Sequence, residues 1–218
     1  MLAGAALEAR ASGGLWWREQ SLLAVSDLHF GKSERIARLG GPMLPPYETH
    51  DTLARLDAEI AALAPKTVLC LGDSFDDSRA ARGLSDAVQD WLTRLMAGRD
   101  WIWIEGNHDP GPLQLGGTHL AEMRMGPLTF RHIALEGAEP GEISGHYHPK
   151  AVLPTRGRQV SRPCFLCDER RIVMPAFGTY TGGLPCHEPV LSSLMSGDAR
   201  AVMIGRQAVE VPMPGRVG

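Results

Sequence analysis

Short runs of apolar residues alternate with segments of helical periodicity through the first half of the chain. The apolar runs 22–25, 68–71 and 101–104 predict three buried strands. Apolar residues recur at helical spacing between them, at 53–63 and again at 84–95, which predicts two amphipathic helices. Two successive strand–helix–strand units predict a largely parallel sheet, because the crossover in such units is right-handed in nearly all cases.

The second half of the chain changes to shorter extended pieces separated by Gly and Pro. We predict strands at 121–125, 128–132, 142–144, 151–153, 171–174, 201–204 and 208–211. This pattern is typical of a β-rich region with more antiparallel pairing. Because no linker or internal repeat separates the two halves, we predict an α/β protein with a single domain over residues 1–218, built from two packed sheets.

Composition limits the classes of function that the chain can have. The 218 residues are 44% apolar and 22% charged, which is typical of a globular domain and excludes the fibrous and disordered classes. The formal net charge of -3 excludes a uniformly basic surface, so a polyanionic partner would have to be held by a local feature. The longest apolar runs are about four residues, whereas about 18 are needed to span a bilayer, so we expect no membrane partner.

Cysteine usage and the first residues of the chain favour a cytoplasmic location. The four cysteines are irregularly spaced, which disfavours a disulfide scaffold and suits a reducing compartment. Residues 1–7 carry no basic leader, so we expect no secretory signal. Cys164 and Cys167 have the spacing of a zinc-binding turn, but no second pair accompanies them. A structural role is therefore favoured over a zinc site.

Residue types that bind metals cluster where the three predicted strands end. They are Asp27 and His29 after the first strand, Asp73 and Asp76 after the second, and Asn107, His108 and Asp109 after the third. Because the carboxyl ends of parallel strands share one edge of a sheet, these side chains are expected to lie close together. Carboxylate, imidazole and amide groups in one place predict a metal site.

Further histidines follow in the β-rich half. His132 stands alone, whereas His146 and His148 form a pair whose side chains point to the same side of an extended segment. Each of these motifs occurs often for structural reasons, since Gly-Asp also forms turns and a His pair also lies in exposed loops. Their joint occurrence in this order favours a metal centre over a purely structural explanation.

The order of these motifs resembles that of the calcineurin-like metallophosphoesterases: Asp-x-His, Gly-Asp, Gly-Asn-His-Asp or Glu, a lone His, and Gly-His-x-His. The resemblance implies a four-layer α/β/β/α sandwich of the metallophosphoesterase type with two divalent metal ions at the carboxyl edge of the inner sheets. It implies one ion held by Asp27, His29, Asp73 and His148, and a second held by Asp73, Asn107, His132 and His146. Asp73 would then bridge the two ions.

Three longer segments resemble the bacterial ligase-associated metallophosphoesterases, a group of DNA damage response endonucleases. They are 27–32, 145–149 and 175–183, within a likeness that runs from about residue 15 to 204. The resemblance implies a manganese-dependent phosphodiesterase or endonuclease acting on nucleic acid, DNA or RNA, in DNA repair. The implied pathway partners are an Lhr-type helicase, an ATP-dependent DNA ligase and an exonuclease. Relatives often follow the lone His with another His or Pro, whereas this chain has Ile133.

The resemblance also implies roles for the residues around the metals. A dinuclear centre would generate the attacking hydroxide from water and clamp the phosphate oxygens, and mixed nitrogen and oxygen ligands suit manganese, iron or zinc. His108 would be the general acid or would stabilise the leaving oxygen. The alternative is that His108 is fixed by a carboxylate such as Asp76. We expect Asp76 and Asp109 to orient the ligands, and Asp77 to form an exposed turn or cap.

Basic residues beside these motifs are candidates for substrate contacts. Residues 1–149 hold 13 basic and 20 acidic side chains, whereas residues 150–171 hold six basic and two acidic ones. We interpret Arg156, Arg158 and Arg162 as contacts to a phosphate backbone, with a solvated loop as the alternative. Lys32 is a further candidate phosphate contact, or else a solvated lysine at a helix start.

Two other functions remain open at the level of the sequence. The same metal ligands would serve a phosphomonoesterase or a hydrolase of nucleotide or diphosphate metabolites. A scaffold for a helicase or ligase on this fold would need no metal, but it would be expected to lack ligands, and here every ligand position of the family pattern is filled. The sequence does not separate DNA from RNA, single from double strands, or endonuclease from exonuclease.

Overall fold

The first sheet is formed by the half of the chain in which apolar runs alternate with helices. The computed structural model describes residues 1–45, 47–109, 115–155 and 157–213, without the side chains of Ser78, Pro154, Thr155 and Arg158. The strands of this sheet are β1 (Glu8–Ala9), β2 (Leu15–Trp17), β3 (Leu22–Val25), β4 (Thr67–Leu71), β5 (Asp100–Ile104) and β6 (Thr118–Leu120). They are hydrogen-bonded in that order, with β3 to β6 parallel. The three strands predicted from the apolar runs, β3, β4 and β5, are confirmed.

The helices in the described parts of the chain are α1 (Lys32–Arg38), α2 (Glu48–Leu63), α3 (Ser78–Arg82), α4 (Asp86–Met96) and α5 (Pro189–Leu194). The two predicted amphipathic helices are α2 and α4, and both are confirmed. Helix α2 ends at Ala64, whose left-handed backbone and following Pro65 prevent a further turn. None of these helices is long and apolar enough to cross a membrane.

The second sheet is formed by the β-rich half. Its strands are β7 (Glu122–Met125), β8 (Leu128–Arg131), β9 (Glu142–Ser144), β10 (Lys150–Thr155), β11 (Arg158–Cys167), β12 (Arg171–Val173), β13 (Arg200–Met203) and β14 (Val209–Pro212). The strand order is β14-β13-β11-β12-β9-β8-β7, and β10 pairs with β11. Apart from the parallel pairs β12–β9 and β9–β8, the pairing is antiparallel. The predicted extended pieces coincide with seven of these strands.

Strand β11 was not predicted, and it corrects the interpretation of the basic segment as a loop. β10 and β11 pair antiparallel as a hairpin through the whole of β10. The strand signal in β11 is weak because Pro163 lacks a backbone N–H and the first residues are polar or charged. Burial of Phe165 and Leu166 holds the strand in the sheet.

Alternate residues of β3 face two different cores. Leu23 and Val25 pack with apolar residues of α2 and α4, whereas Leu22 and Ala24 pack with residues of the second sheet. A third core lies on the outer face of the second sheet, beneath Leu191 of α5. The layers are therefore helix, sheet, sheet and helix, which is the four-layer sandwich that the family resemblance implies.

Cys164 and Cys167 face opposite sides of β11, as residues three apart on a strand must. Cys164 lies in the core beneath α5, with its Sγ 3.5 Å from that of Cys186. Cys167 packs against the core between the two sheets. The two thiols cannot share one zinc ion, so the zinc alternative is wrong and the structural role is confirmed.

Candidate metal centre

The chain segments that leave β3 and β4 are hydrogen-bonded to each other beyond the end of the sheet. The amide of Asp27 donates to the carbonyl of Gly72 at 3.2 Å, and the amide of His29 donates to the carbonyl of Asp73 at 3.0 Å. These bonds continue the parallel pairing of two strands into their loops, and they fix the spacing of the side chains that follow. The strand ends therefore meet at one edge, as the sequence predicted.

The backbone is unusual at most of the predicted ligands. Nine non-glycine residues have a positive φ in the described parts of the chain, and five of these are predicted metal ligands: Asp27, His29, Asp73, His146 and His148, with φ between 46° and 70°. Left-handed conformations at such residues are strained and cluster at functional sites, where the surrounding structure enforces them. The left-handed backbone at these five residues thus sets the direction in which their side chains leave the chain.

The first cluster of potential ligands consists of Asp27, His29 and His148, whose ligand atoms all lie within 4.8 Å of one another. Asp27 is fully buried, and its Oδ1 lies 3.0 Å from Nε2 of His148. Nε2 of His29 is buried without a hydrogen-bond partner among the described residues, and the two atoms of the Asp27–His148 pair have no partner there besides each other. Buried polar atoms without partners are costly, so their convergence here fits a bound cation.

The second cluster consists of Asp73, His132 and His146, joined by Asn107. Nε2 of His132 lies 3.4 Å from Oδ2 of Asp73, 2.9 Å from Oδ1 of Asn107 and 3.2 Å from Nδ1 of His146. Nδ1 of His132 lies 2.9 Å from the carbonyl of Leu71 and donates to it. In this tautomer of the neutral ring, Nε2 carries a lone pair that can bind an ion. Acceptor atoms that face one another in this way fit a cation between them.

The acidic partners of His132 affect its protonation in the absence of an ion. Burial lowers the pKa of His132, but the neighbouring carboxylates of Asp73 and Asp27 outweigh this effect and raise it to about 8. The pKa of Asp73 is held down at about 2 despite burial, because His132 and the amide of His108 stabilise its carboxylate. The carboxylates around His132 thus favour a positive charge at this cluster.

The sequence from residue 21 to 166 matches the family model of the calcineurin-like phosphoesterases. The chain belongs to this family. Among solved structures it is similar to the nuclease MPE of Pseudomonas putida, with 32% sequence identity and a TM-score of 0.73 over 95% of this chain and 96% of that chain. No curated protein matches the sequence. The family uses divalent metals, and both ligand clusters of this phosphoesterase fit such ions.

His108 lies beside both clusters with one ring nitrogen fixed. Its amide donates to Oδ1 of Asp73 at 2.9 Å, and its Nδ1 lies 2.9 Å from the main-chain carbonyl of Asp76, to which it donates. Nε2 is therefore directed to the site, 4.0 Å from Oδ2 of Asp73, and the side chain is 30% exposed. The carboxylate of Asp76 does not fix Nδ1 of His108, which contacts the main-chain carbonyl of that residue instead.

The carboxylate of Asp76 contacts His29 instead, as expected of a group that orients a ligand. Its Oδ1 lies 2.9 Å from Nδ1 of His29 and 3.4 Å from Nζ of Lys32, and its Oδ2 accepts from Arg35 at 3.2 Å. Burial opposes ionisation of Asp76, but His29, Lys32 and Arg35 together hold its pKa well below the usual range. The contact directs Nε2 of His29 to the first cluster.

Asp109 supports the loop that carries Asp73. Its Oδ2 accepts from the amides of Ser74 and Phe75 at 2.7 and 3.1 Å, so it connects the end of β5 to the end of β4. Burial raises the pKa of Asp109 to about 6. Asp77 lies outside the site and caps α3, where its Oδ1 accepts from the amide of Ala80 at 2.7 Å.

Two glycines allow the close approaches on which the clusters depend. A Cβ at Gly106 would lie 2.2 Å from the amide nitrogen of Asp73, and one at Gly145 would lie 1.8 Å from Oγ of Ser26. Neither distance is compatible with a side chain. The glycines that precede the ligands in the motifs are therefore needed because two strand ends meet at these points.

The residues predicted to contact the substrate differ in their exposure and in the groups that they contact. Lys32 begins α1 and is 20% exposed, with its ammonium group directed to Asp76. Arg162 is exposed on β11, where its guanidinium donates to the carbonyl of Ser161 at 3.2 Å. Arg156 and the side chain of Arg158 lie outside the described residues. Arg171 is buried in an ion pair with Glu142 at 3.2 Å, so it does not extend the basic segment.

The sequence did not reveal the residues that support the first cluster through hydrogen bonds to the backbone of Ser26 and Asp27. The amide of Gly178 donates to the carbonyl of Asp27 at 3.0 Å, and the amide of Phe177 donates to Ser26 at 2.7 Å. Arg55 of α2 holds this segment through the carbonyl of Phe177 at 2.7 Å. The segment 175–183 was marked only by its likeness to a family motif, whereas the contribution of Arg55 left no signal in the sequence.

Proposed function

We propose that this phosphoesterase is a manganese-dependent phosphodiesterase that cleaves nucleic acid as an endonuclease in DNA repair. The observation that carries the proposal is the pair of adjoining ligand clusters beside His108. The similarity to a nuclease along nearly the whole chain supports nucleic acid as the substrate. An Lhr-type helicase, an ATP-dependent DNA ligase and an exonuclease are the proposed pathway partners, and the cytoplasm is the proposed location.

We infer that Asp27, His29, Asp73 and His148 hold one divalent ion, and that Asp73, Asn107, His132 and His146 hold the other. Two bound divalent ions would supply an activated water as nucleophile and the positive charge that stabilises the phosphate during in-line attack. Manganese is proposed because both clusters mix oxygen and nitrogen donors, a set that also suits iron or zinc.

The residues of this chain prepare the ligands and handle the leaving group. The bond from Nδ1 of His132 to Leu71 presents Nε2 as a ligand, and the contact of His29 with Asp76 does the same in the first cluster. Nδ1 of His108 is committed to the carbonyl of Asp76, so a proton on Nε2 is the one available to a departing oxygen. No side chain is needed as a nucleophile in this scheme.

A cleavage panel tests the proposed function. Purified protein is incubated in manganese with circular and linear, single- and double-stranded DNA and RNA. We expect at least one circular substrate to be cut, since only an endonuclease can begin on a molecule without ends. Cleavage of linear substrates alone would contradict the endonuclease, and a preference for p-nitrophenyl phosphate over bis(p-nitrophenyl) phosphate would contradict the diesterase.

A further inference from the structure

An open groove borders the second ligand cluster on the side of β5, β7 and β8. Its volume is about 380 Å³, and the predicted metal ligands Asn107 and His132 form part of its wall. The side chains of Ile133 and Leu135 form an apolar part of the lining, and Glu105 and Glu122 contribute carboxylates. A group bound in this groove would therefore be adjacent to a phosphate held at the second cluster.

The apolar part of the groove is open to solvent. Ile133 is 39% exposed and Leu135 is 52% exposed, and both are among the more exposed large apolar side chains of the described structure. Ile133 directly follows His132, so its position relative to the metal centre is fixed by the chain. Covering these side chains with a flat apolar surface would be favourable.

The charges of the groove disfavour a second phosphate. Arg131 lines the groove, but its guanidinium is 13% exposed and paired with Glu122 at 2.9 Å and Glu142 at 3.4 Å. Glu105 is exposed and makes no salt bridge among the described residues, whereas both carboxylate oxygens of Glu122 are in ion pairs, one with Arg124 and one with Arg131. The groove thus offers an apolar face and hydrogen-bond acceptors without a free cation among the residues described, which suits a neutral group that has N–H donors.

We propose that this groove binds the nucleoside attached to the scissile phosphate; the inference rests on the proposed action on nucleic acid. The face of the base covers Ile133 and Leu135, and the carboxylate of Glu105 accepts from ring or amino N–H groups. A volume of about 380 Å³ lies within the range of small-molecule sites. The groove therefore contributes to the choice of substrate rather than to the chemical step.

Matched pairs of small diesters test the role of the groove. The 5′- and 3′-(p-nitrophenyl) phosphates of thymidine each share their leaving group with methyl p-nitrophenyl phosphate, so the ratio of kcat/KM values isolates the contribution of the nucleoside. In manganese, we expect the wild-type ratio to exceed ten for at least one of the two thymidine esters. Ile133→Ser and Leu135→Ser should each lower that ratio at least fivefold. Val209→Ser, a matched change of an aliphatic residue that is 50% exposed on β14, should leave it unchanged.

Ratios for both thymidine esters that stay within twofold of wild type in both groove variants would overturn the inference. Failure of the proposed function is a separate result, in which the wild-type enzyme hydrolyses these diesters but cuts no nucleic acid in the cleavage panel.

A second readout needs neither metal nor turnover. Saturation-transfer NMR with adenosine and the metal-free protein should give a signal in wild type and in Val209→Ser. The signal should be reduced at least threefold in Leu135→Ser, with circular dichroism spectra that show all variants folded. An equal signal in Leu135→Ser and wild type would contradict binding in this groove.

Discussion

Left-handed backbone conformations are concentrated at the predicted metal ligands, which account for five of the nine non-glycine residues with positive φ in the described parts of the chain. Asp27, His29 and Asp73 have left-handed backbones, and each such residue costs on the order of 1–3 kcal/mol and persists only because its surroundings enforce it. Those surroundings are the hydrogen bonds between the strand ends and the close approach of Gly145 to Ser26. These conformations lower the stability of the fold, and they direct carboxylate and imidazole groups to one point.

Gly145→Ala tests the close approach. The new methyl group would lie 1.8 Å from Oγ of Ser26 and 2.6 Å from Oδ2 of Asp27, so the loop must move. We expect a loss of about 1–3 kcal/mol in the free energy of unfolding, measured with urea, together with weaker manganese binding. Gly197→Ala is the control, because a Cβ at Gly197 meets nothing within 4 Å. Equal stability of the two variants would show that the loop accommodates the methyl group.

His108→Ala tests the role given to that histidine. We expect kcat on a phosphodiester to fall by about 10²–10⁴-fold, since a general acid contributes on this order. Manganese content should stay at the wild-type value, because His108 donates its amide to Asp73 and contributes no ligand in the proposed scheme. Loss of metal in this variant would assign His108 to metal binding instead.

Whole elements of the fold follow from their apolar patterns, with exceptions that have physical causes. β3 has the predicted bounds, because a run of apolar residues that ends in a polar turn marks both ends of a buried strand. The bounds of β9 also agree with the prediction, although only Ile143 in it is apolar. β11 was missed, since Pro163 and polar residues hide a strand whose burial depends on partners distant in sequence. For helix α1 the sequence suggested only a start at Lys32, as one alternative, because Ser33 is the one buried residue of this helix and apolar periodicity is absent from it.

Asp109→Ala tests the connection between the ends of β4 and β5. The amides of Ser74 and Phe75 would lose their acceptor inside the protein, and an unsatisfied buried donor costs about 1–3 kcal/mol. We expect a decrease of that size in the free energy of unfolding, while Asp90→Ala on the exposed side of α4 should change it little. A stability equal to wild type would mean that water replaces the carboxylate.

At the scale of the molecule, negative charge lies at the ends of the strands of the first sheet, and positive charge lies on the hairpin of β10 and β11. Two divalent ions would offset the acids, and the hairpin begins at Lys150, two residues after the predicted ligand His148. The convergence of Asp27, His29 and His148, and that of Asp73, His132 and His146, could be predicted from motifs, because those spacings are local. The burial of Arg171 against Glu142 could not, because it depends on how two distant strands pair.

Replacement of Arg156, Arg158 and Arg162 with Ala tests whether the hairpin contacts a phosphate backbone. We expect weaker cleavage of nucleic acid and a salt dependence whose slope falls by about 0.7–0.9 for each phosphate that the variant no longer neutralises. Arg206→Ala, a change of another exposed arginine, is the control. An equal decrease of activity on nucleic acid and on bis(p-nitrophenyl) phosphate would argue against the hairpin as a binding surface for the substrate.

Manganese stoichiometry distinguishes a dinuclear centre from any other arrangement, because the proposed centre needs both ions and shares Asp73 between them. Metal content is measured after equilibrium dialysis of the wild-type chain and of Asp73→Asn against manganese, with circular dichroism as a check on folding. We expect two ions per wild-type chain and fewer than one in Asp73→Asn, with loss of phosphodiester cleavage in the variant. A wild-type chain that binds no manganese, or an Asp73→Asn variant that keeps both ions and full activity, would contradict the dinuclear centre.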